Sequence, residues 1–230
     1  MTQNLEKAAR PTSSATRVRR HPERARYDRE TIDQVLDEGL ICHLGFVASG
    51  RPYVIPTIHA RLDDVVYVHG SPVSRMLNTL QEGIEVCLTV TIVDGLVLAR
   101  SAFSSSMNYR SAMVLGRARE VTDPEEKQRA FEAVVEHVAR GRWADCRWPT
   151  PKETAATTIV RLPITEFSAK VRTGPPKDPA EDHDLPHWAG VVPFVLATGP
   201  PEDSPDLKPG PQPPPYTLRY SRQALPQRGR

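Results

Sequence analysis

Cysteine is the first shortage. Three residues, Cys42, Cys87 and Cys146, occur in a chain of 230. An odd number without close spacing excludes a disulfide framework. Cys42 and Cys87 fall inside predicted strands, where a thiol acts as a small apolar side chain. No closed set of four ligands is visible, so no metal site is expected. His183 and His187 are four apart, but Asp184 and Pro186 between them disfavour a metal-binding helix. Aromatic residues make up 6% of the chain and hydrophobic residues 39%, a lean supply for one core that two polar ends dilute. A formal net charge of +2 is too small to demand a nucleic-acid partner. Long apolar runs are missing, which excludes a membrane-spanning helix. The N-terminus has no signal-type hydrophobic region, so a soluble cytoplasmic protein is the expectation. No Ser-His-Asp or Cys-His signature points to nucleophilic catalysis.

What is present divides into three parts. Residues 1–26 carry seven Lys/Arg against two Glu, with few large apolar side chains, and read as a flexible basic arm. Residues 199–230 contain nine prolines and no periodicity, and read as an extended tail. Between them, 27–198 reads as one folded domain. Its first helix spans 28–38, with Asp28 as N-cap, Ile32, Val35 and Leu36 on one face, and Gly39 just past the end. A second clear helix begins at Asp123-Pro124-Glu125-Glu126, an N-cap followed by proline and acids in the first turn. Phe131, Val134, Val135 and Val138 form its expected buried face, and Gly141 ends it. Strands are expected over 40–48, 53–62, 65–69, from Ile84 through a bend near Asp94-Gly95 to Ala99, over 109–121, and over 154–168 with a break at Pro163. Ser49-Gly50 and Asp63-Asp64 mark tight reversals. Antiparallel strands with a few helices imply a mainly β, barrel-like structure with peripheral helices.

The stretch from Leu40 to Leu80 organises the rest. Its third strand runs into His69-Gly70-Ser71-Pro72. Ser71 suits an N-cap and Pro72 the first helical position, with Val73, Met76, Leu77 and Leu80 at helical spacing. The first turn of a helix leaves N–H groups that favour an anion, above all a phosphate. Ser71 and Ser74 add hydroxyl donors, and Arg75 adds a planar fork matched to phosphate oxygens. This is either a phosphate seat or an ordinary capped helix with a surface arginine.

Three segments then carry a family likeness: GRPYVIPTIHARLDDVVYVHGSPVSRML, SSMNYRSAMVLGRAREV, and FSAKVRTGPPKD followed by LPHWAGVVPF. In this order they resemble the pyridoxamine 5′-phosphate oxidase-like split barrels that bind flavin, in the branch with the nitroimidazole reductases and flavin-nucleotide-binding proteins. The resemblance implies a six-stranded antiparallel Greek-key split barrel, FMN as cofactor, and a homodimer with two flavins in clefts between subunits. It places the flavin phosphate at His69, Gly70, Ser71, Ser74 and Arg75, and sets Val54, Ile55, Pro56 and Thr57 along the ring and ribityl chain with their main-chain groups. Thr57 is a side-chain donor or simply a β-former. Pro56 removes an N–H and points to a strand edge or a bulge. A second cluster, Asn108, Tyr109 and Arg110, would lie near the dimer cleft, Asn108 donating and accepting and Arg110 meeting a phosphate or carboxylate, unless it is a loop with one surface arginine. A third, Lys170, Arg172 and Trp188, would wrap over the barrel. Trp188 would stack on the flavin, line a substrate pocket or pack as a buried aromatic. In the family the segment before the first helix can pack against the barrel, which here would involve His21, Pro22 and Arg24.

The resemblance gives His69 the catalytic position beside the cofactor, as proton donor to a reduced substrate or as a haem ligand. A two-residue turn at Asp63-Asp64 sets His69 opposite Ile58 and so His59 on the other face. The first functional expectation is an FMN-dependent oxidoreductase for a nitroaromatic, quinone-like or pyridoxine-derived small molecule, with NADH or NADPH as a candidate electron donor. The basic and aromatic residues that pyridoxamine phosphate oxidases use for pyridoxal phosphate, including an arginine-rich C-terminal closure, are not found, which weakens the vitamin B6 reading. The second expectation is a cofactor-binding protein without turnover, holding flavin, deazaflavin or haem. A nucleic-acid-associated regulator using the basic arm is a third, without a recognition helix to support it.

Overall fold

A computed structural model of the chain describes residues 10–81 and 83–221. Residues 1–9 of the expected arm and 222–230 of the expected tail lie outside the described residues. Ten strands form one antiparallel sheet: β1 (Ala25–Arg26), β2 (Ile41–Ala48), β3 (Arg51–Leu62), β4 (Val65–Gly70), β5 (Glu85–Leu98), β6 (Ser106–Arg117), β7 (Arg119–Glu120), β8 (Thr158–Pro163), β9 (Glu166–Arg172) and β10 (Gly190–Pro193). Their order is β1-β9-β6-β5-β2-β3-β4-β8-β7, with β10 on β5 beside the end of β2. The sheet curls round a core without closing into a ring. The count exceeds the six expected strands for local reasons. Pro163 splits one expected strand into β8 and β9, Gly116 with φ 154 sits near the β6–β7 break, and the two segments flanking the domain add β1 and β10.

Alternation decides the faces. On β2, Cys42, Leu44 and Phe46 are buried while Ile41, His43 and Val47 are exposed. The buried set joins Val66 and Val68 of β4, Leu88 and Val90 of β5, and Val114 of β6 in the main core. The β2–β3 reversal is a two-residue turn in which Ser49 and Gly50 both have positive φ, 50 and 72, the geometry that matches strand twist. Asp63 and Asp64 likewise join Leu62 to its partner Val65, and Arg29 holds that turn through Asp64 and the Asp63 carbonyl.

Helix α1 (Arg29–Glu38) begins as expected: the Asp28 carboxylate accepts from the Thr31 N–H at 2.8 Å, and Ile32, Val35 and Leu36 are buried. Gly39 follows it for a different reason from a left-handed cap. Its φ is −74, and a Cβ there would stand 2.2 Å from Val90 Cγ1, so glycine lets the helix end rest on β5. Helix α2 (Arg75–Gln81) starts later than Ser71. Ser71-Pro72-Val73 form a turn closed by Ser74 N–H to the Ser71 carbonyl at 2.9 Å, and the Ser74 carbonyl takes the first helical bond, from Asn78. Val73 is therefore exposed, while Met76, Leu77 and Leu80 are buried as expected.

Helix α3 (Pro124–Val138) is capped by Asp123, which accepts from the Glu126 N–H at 2.7 Å. Its buried residues are Ala130 and Val134, whereas Val138 is exposed, because the helix packs on the outer side of β4 through a small second core of Tyr67, Val121, Ala130 and Ile159. The Tyr67 hydroxyl donates to Glu126 at 2.8 Å. Burial and that carboxylate push its pKa up to about 12. A short helix α4 (Pro151–Ala155) precedes β8, and α5 (Pro215–Leu218), inside the expected tail, lays Tyr216 against Gly141 and Asp145. Among the described residues, no helix is long and apolar enough to cross a membrane.

Residues 10–26 run along β9. Thr12 Oγ1 accepts from the Phe167 N–H at 3.0 Å, Thr16 is buried, and Ala25 and Arg26 of β1 pair with Lys170 and Ala169.

Candidate functional site

The seat around Ser71 is made by strands that part. β3 pairs with β2 along Arg51–Ile58 and with β4 only from His59 to Leu62. Beyond the His59–Val68 pair, the β4 side of β3 has no strand partner among the described residues. That free edge turns part of its main-chain N–H and C=O groups outward. Pro56 lies on it, an edge position as its missing N–H requires. Tyr53, Ile55 and Thr57 share the inner face with Phe46, Leu44 and Cys42 across the ladder; Val54 and Pro56 point the other way. Thr57 Oγ1 donates to the neighbouring Ile58 carbonyl at 3.4 Å, a weak bond that leaves it available.

β4 ends at His69 and Gly70. A Cβ on Gly70 would lie 3.1 Å from Leu77 Cδ1, so the bare backbone lets α2 pack against the strand end. Ser71 and Arg75 are exposed and Ser74 half-buried. Arg75 spans the gap to β3: its guanidinium carbon stands 5.5 Å from the centre of the Tyr53 ring, and its Nη1 donates to the Tyr53 hydroxyl at 3.5 Å. Tyr53 in turn stacks on Phe46, 5.6 Å between centroids. No carboxylate lies within ion-pair distance of Arg75 among the described residues. A serine hydroxyl, an oriented and uncompensated guanidinium and a free strand edge suit the phosphate and ring of a flavin mononucleotide portion.

His69 stands beside this seat. Its Nδ1 is buried with no hydrogen-bond partner, and burial lowers its pKa from the usual imidazole value, so the ring is neutral at neutral pH. His59 is separate. Fully buried, it donates from Nε2 to the Leu36 carbonyl at 2.9 Å, and its ring touches His137, 4.8 Å between centroids. That joins β3 to α1 and α3.

The other expected residues gather elsewhere. Asn108, Tyr109, Lys170 and Arg172 lie on the paired strands β6 and β9, and β5 and β2 stand between these strands and β3 in the sheet. The buried Asn108 accepts from Arg172 Nη1 at 2.5 Å and donates to the Gly174 carbonyl at 3.1 Å. Burial lowers the Arg172 pKa, and the nearby Arg24 charge adds to the effect. Arg110 is not open to a phosphate. It is held by Asp94 at 2.8 Å and by Glu38, and those bonds raise its pKa. Neighbours alternate across a strand, so Tyr109 points away from both Asn108 and Arg110. Trp188 is not a buried packing residue: it is 64% exposed and lies over Gly190, where a Cβ would be 2.6 Å from the ring.

Sequence reasoning missed Tyr53 as the platform for Arg75; the family likeness had set His21, Pro22 and Arg24 against the barrel but had not named Arg20 or Arg26 beside Lys170 and Arg172. Tyr53 was legible only through strand register, since it precedes the turn that brings it near α2 by two strands.

A curled antiparallel sheet, split where β3 leaves β4 and capped by short helices, with an anion seat at a strand end, defines the split-barrel class. The sequence pattern described as pyridoxamine 5′-phosphate oxidase matches residues 28–171, and the chain belongs to that family. Among solved structures it is similar to the flavocytochrome Anf3 from Azotobacter vinelandii, at 40% identity over 92% of this chain and 98% of that one, with a TM-score of 0.86. A FAD and heme binding protein from Mycobacterium smegmatis is 36% identical over 85% of this chain and 96% of that one, with a TM-score of 0.81. A candidate 5-nitroimidazole antibiotic resistance protein from Bacteroides thetaiotaomicron is 25% identical over 64% of this chain and 86% of that one, with a TM-score of 0.55. No curated protein matches the chain.

Proposed function

We propose that the chain binds a flavin at the Ser71–Arg75 seat and acts as a flavin-dependent oxidoreductase on a small nitroaromatic or quinone-like molecule. The observation that carries this reading is Arg75, an exposed guanidinium at a strand–helix junction, aligned by Tyr53 and left without a carboxylate among the described residues. A bound flavin supplies hydride or electron transfer. The chain's own part is to hold the phosphate with Ser71, Ser74 and Arg75, to present the β3 free edge to the ring, and to keep the neutral His69 beside it. FMN is the cofactor that the family likeness implies.

We further propose that a second copy of the chain covers the open side of β3, because Val54 is 65% exposed on the free-edge strand and Ile55 beside it is 37% exposed. Size-exclusion chromatography with light scattering should return twice the chain mass; a monomer at micromolar concentration would overturn this part.

A haem at His69 is the second reading, favoured by the buried, unpartnered Nδ1 and by similarity to a flavocytochrome and to a FAD and heme binding protein. An absorption spectrum of the purified protein, before and after addition of FMN, FAD or hemin, separates the readings. Bound flavin that NADH or NADPH bleaches supports the oxidoreductase. A Soret band lost in His69→Ala supports haem, and no flavin uptake with Ser71 and Arg75 intact overturns the first reading.

A further inference from the structure

A second concentration of positive charge lies outside the flavin seat. A groove of about 820 Å³ runs along β1 and β9 and is floored by Lys170 and Arg172. The segment before α1 supplies Arg20, Arg24 and Arg26 to one wall, and Lys177 stands on the other. Against these six cations the lining holds one carboxylate, Glu23, and that group is already engaged by His21 at 3.1 Å and by Arg24 at 3.6 Å. Arg172 is the most telling member. It is 7% exposed, its described hydrogen-bond partner is the neutral Asn108, and no acid pairs with it among the described residues. A buried guanidinium with a second guanidinium nearby and no counter-charge is costly. An anion entering the groove would offset that cost.

The walls are fixed rather than loose. Asp178, next to Lys177, accepts from the Arg100 N–H at 3.1 Å and from its guanidinium at 3.0 Å. The loop after β5 is closed on itself by Ser101 and Ser105, which bond to Ser104 N–H and Ala99 N–H. That closed loop presents Phe103 to the groove with 99% of its surface exposed. An apolar ring held in water beside a cationic groove suits a flat base stacking next to its phosphates.

We infer that this groove is a second anion site, distinct from the Ser71–Arg75 seat, and that it takes the adenosine diphosphate portion of a nucleotide, with the diphosphate on Arg172, Arg24 and Lys177 and the base on Phe103. Adenosine diphosphate occurs in the nicotinamide dinucleotides, the candidate electron donors; a flavin dinucleotide carries a single diphosphate, which the Ser71–Arg75 seat would already hold. The site does not depend on the flavin reading of the other seat.

The test uses the full chain as purified and ADP as the probe in isothermal titration calorimetry. ADP should bind, pyrophosphate should compete, adenosine should not, and affinity should fall as salt rises. Arg172→Gln and, separately, the exposed Lys177→Ala should each weaken ADP at least tenfold, whereas Arg75→Ala should leave ADP binding in place. Lys177→Ala keeps the test valid if the buried substitution impairs folding. Loss of bound flavin together with ADP binding in these variants would overturn the inference of two separate sites. Unchanged flavin retention with weaker NADPH binding assigns it to the electron donor. Absence of ADP binding, or ADP affinity that follows Arg75 and ignores Arg172 and Lys177, would overturn the inference.

Discussion

At the scale of single residues, the seat depends on one guanidinium. The Arg75 side chain makes its described contacts to Tyr53, so Arg75→Ala should barely alter stability. A hydrogen bond to a charged group is worth about 1.5–3 kcal/mol, and flavin affinity measured by fluorescence quenching should fall about ten- to a hundredfold. An unchanged affinity would place the phosphate elsewhere. His69 carries a pH signature. Its folded pKa lies below that of an unfolded imidazole, about 6.5, because burial disfavours the charged ring. The unfolded chain therefore binds the proton first, and stability must fall as pH drops below about 6.5, levelling only below the folded value. Thermal midpoints followed from neutral to mildly acidic pH should show that slope, and His69→Gln should flatten it. Cys42 has no such role: burial pushes its thiol up to about 12, so alkylating reagents should spare it in the folded protein.

At the scale of elements, the contacts that place α1 can be tested one by one. Gly39→Ala forces a methyl group into Val90 and should cost about 1–3 kcal/mol in urea unfolding, with no effect on a seat two strands away. Sequence reasoning reached far here. Asp28 and Asp123 are caps because a short carboxylate precedes an amphipathic run, and both bonds are present. The Asp63-Asp64 reversal sets the β3–β4 register, and with it the opposite faces of His59 and His69. Where it fell short, a local signal was outweighed by a distant contact. Ser71-Pro72 looks like a helix start, yet the turn it makes delays α2 to Arg75, because Met76, Leu77 and Leu80 already satisfy the core from that start. Arg110 looked available because Asp94 and Glu38 lie far from it in sequence; the bulge between Val93 and Gly95 and the end of α1 bring them together. Residues 10–26 read as part of a flexible arm because their few apolar side chains give no period; Thr12 docks on β9 through its hydroxyl, and the buried Thr16 ties the segment to itself through Ser13.

At the scale of the whole molecule, Arg110 ties three elements: β6 that carries it, β5 through Asp94, and α1 through Glu38. Arg110→Met takes the guanidinium away from the Glu38 carboxylate, which is 9% exposed and keeps its bond from Gln34. The cost should be about 2 kcal/mol, less than for a fully enclosed pair because Asp94 keeps water contact. Calorimetry should show one cooperative transition at a lower midpoint; an unaltered midpoint would mean that the tie adds nothing. The same sheet explains why the two anion-seeking regions stay apart in one chain, with β4 and α2 presenting Arg75 and β6 and β9 presenting Arg172.

The parting of β3 from β4 also bears on how the protein behaves in storage. An unpaired strand edge with Val54 and Ile55 exposed is a template for another chain. Pro52 and Pro56 interrupt its row of amide donors, so a stray strand cannot zip along it. Pro56→Val would restore one of the two missing donors, beside two exposed branched residues. That variant should precipitate or form thioflavin-positive fibrils faster than the parent at equal concentration and temperature, even though its folded core is untouched.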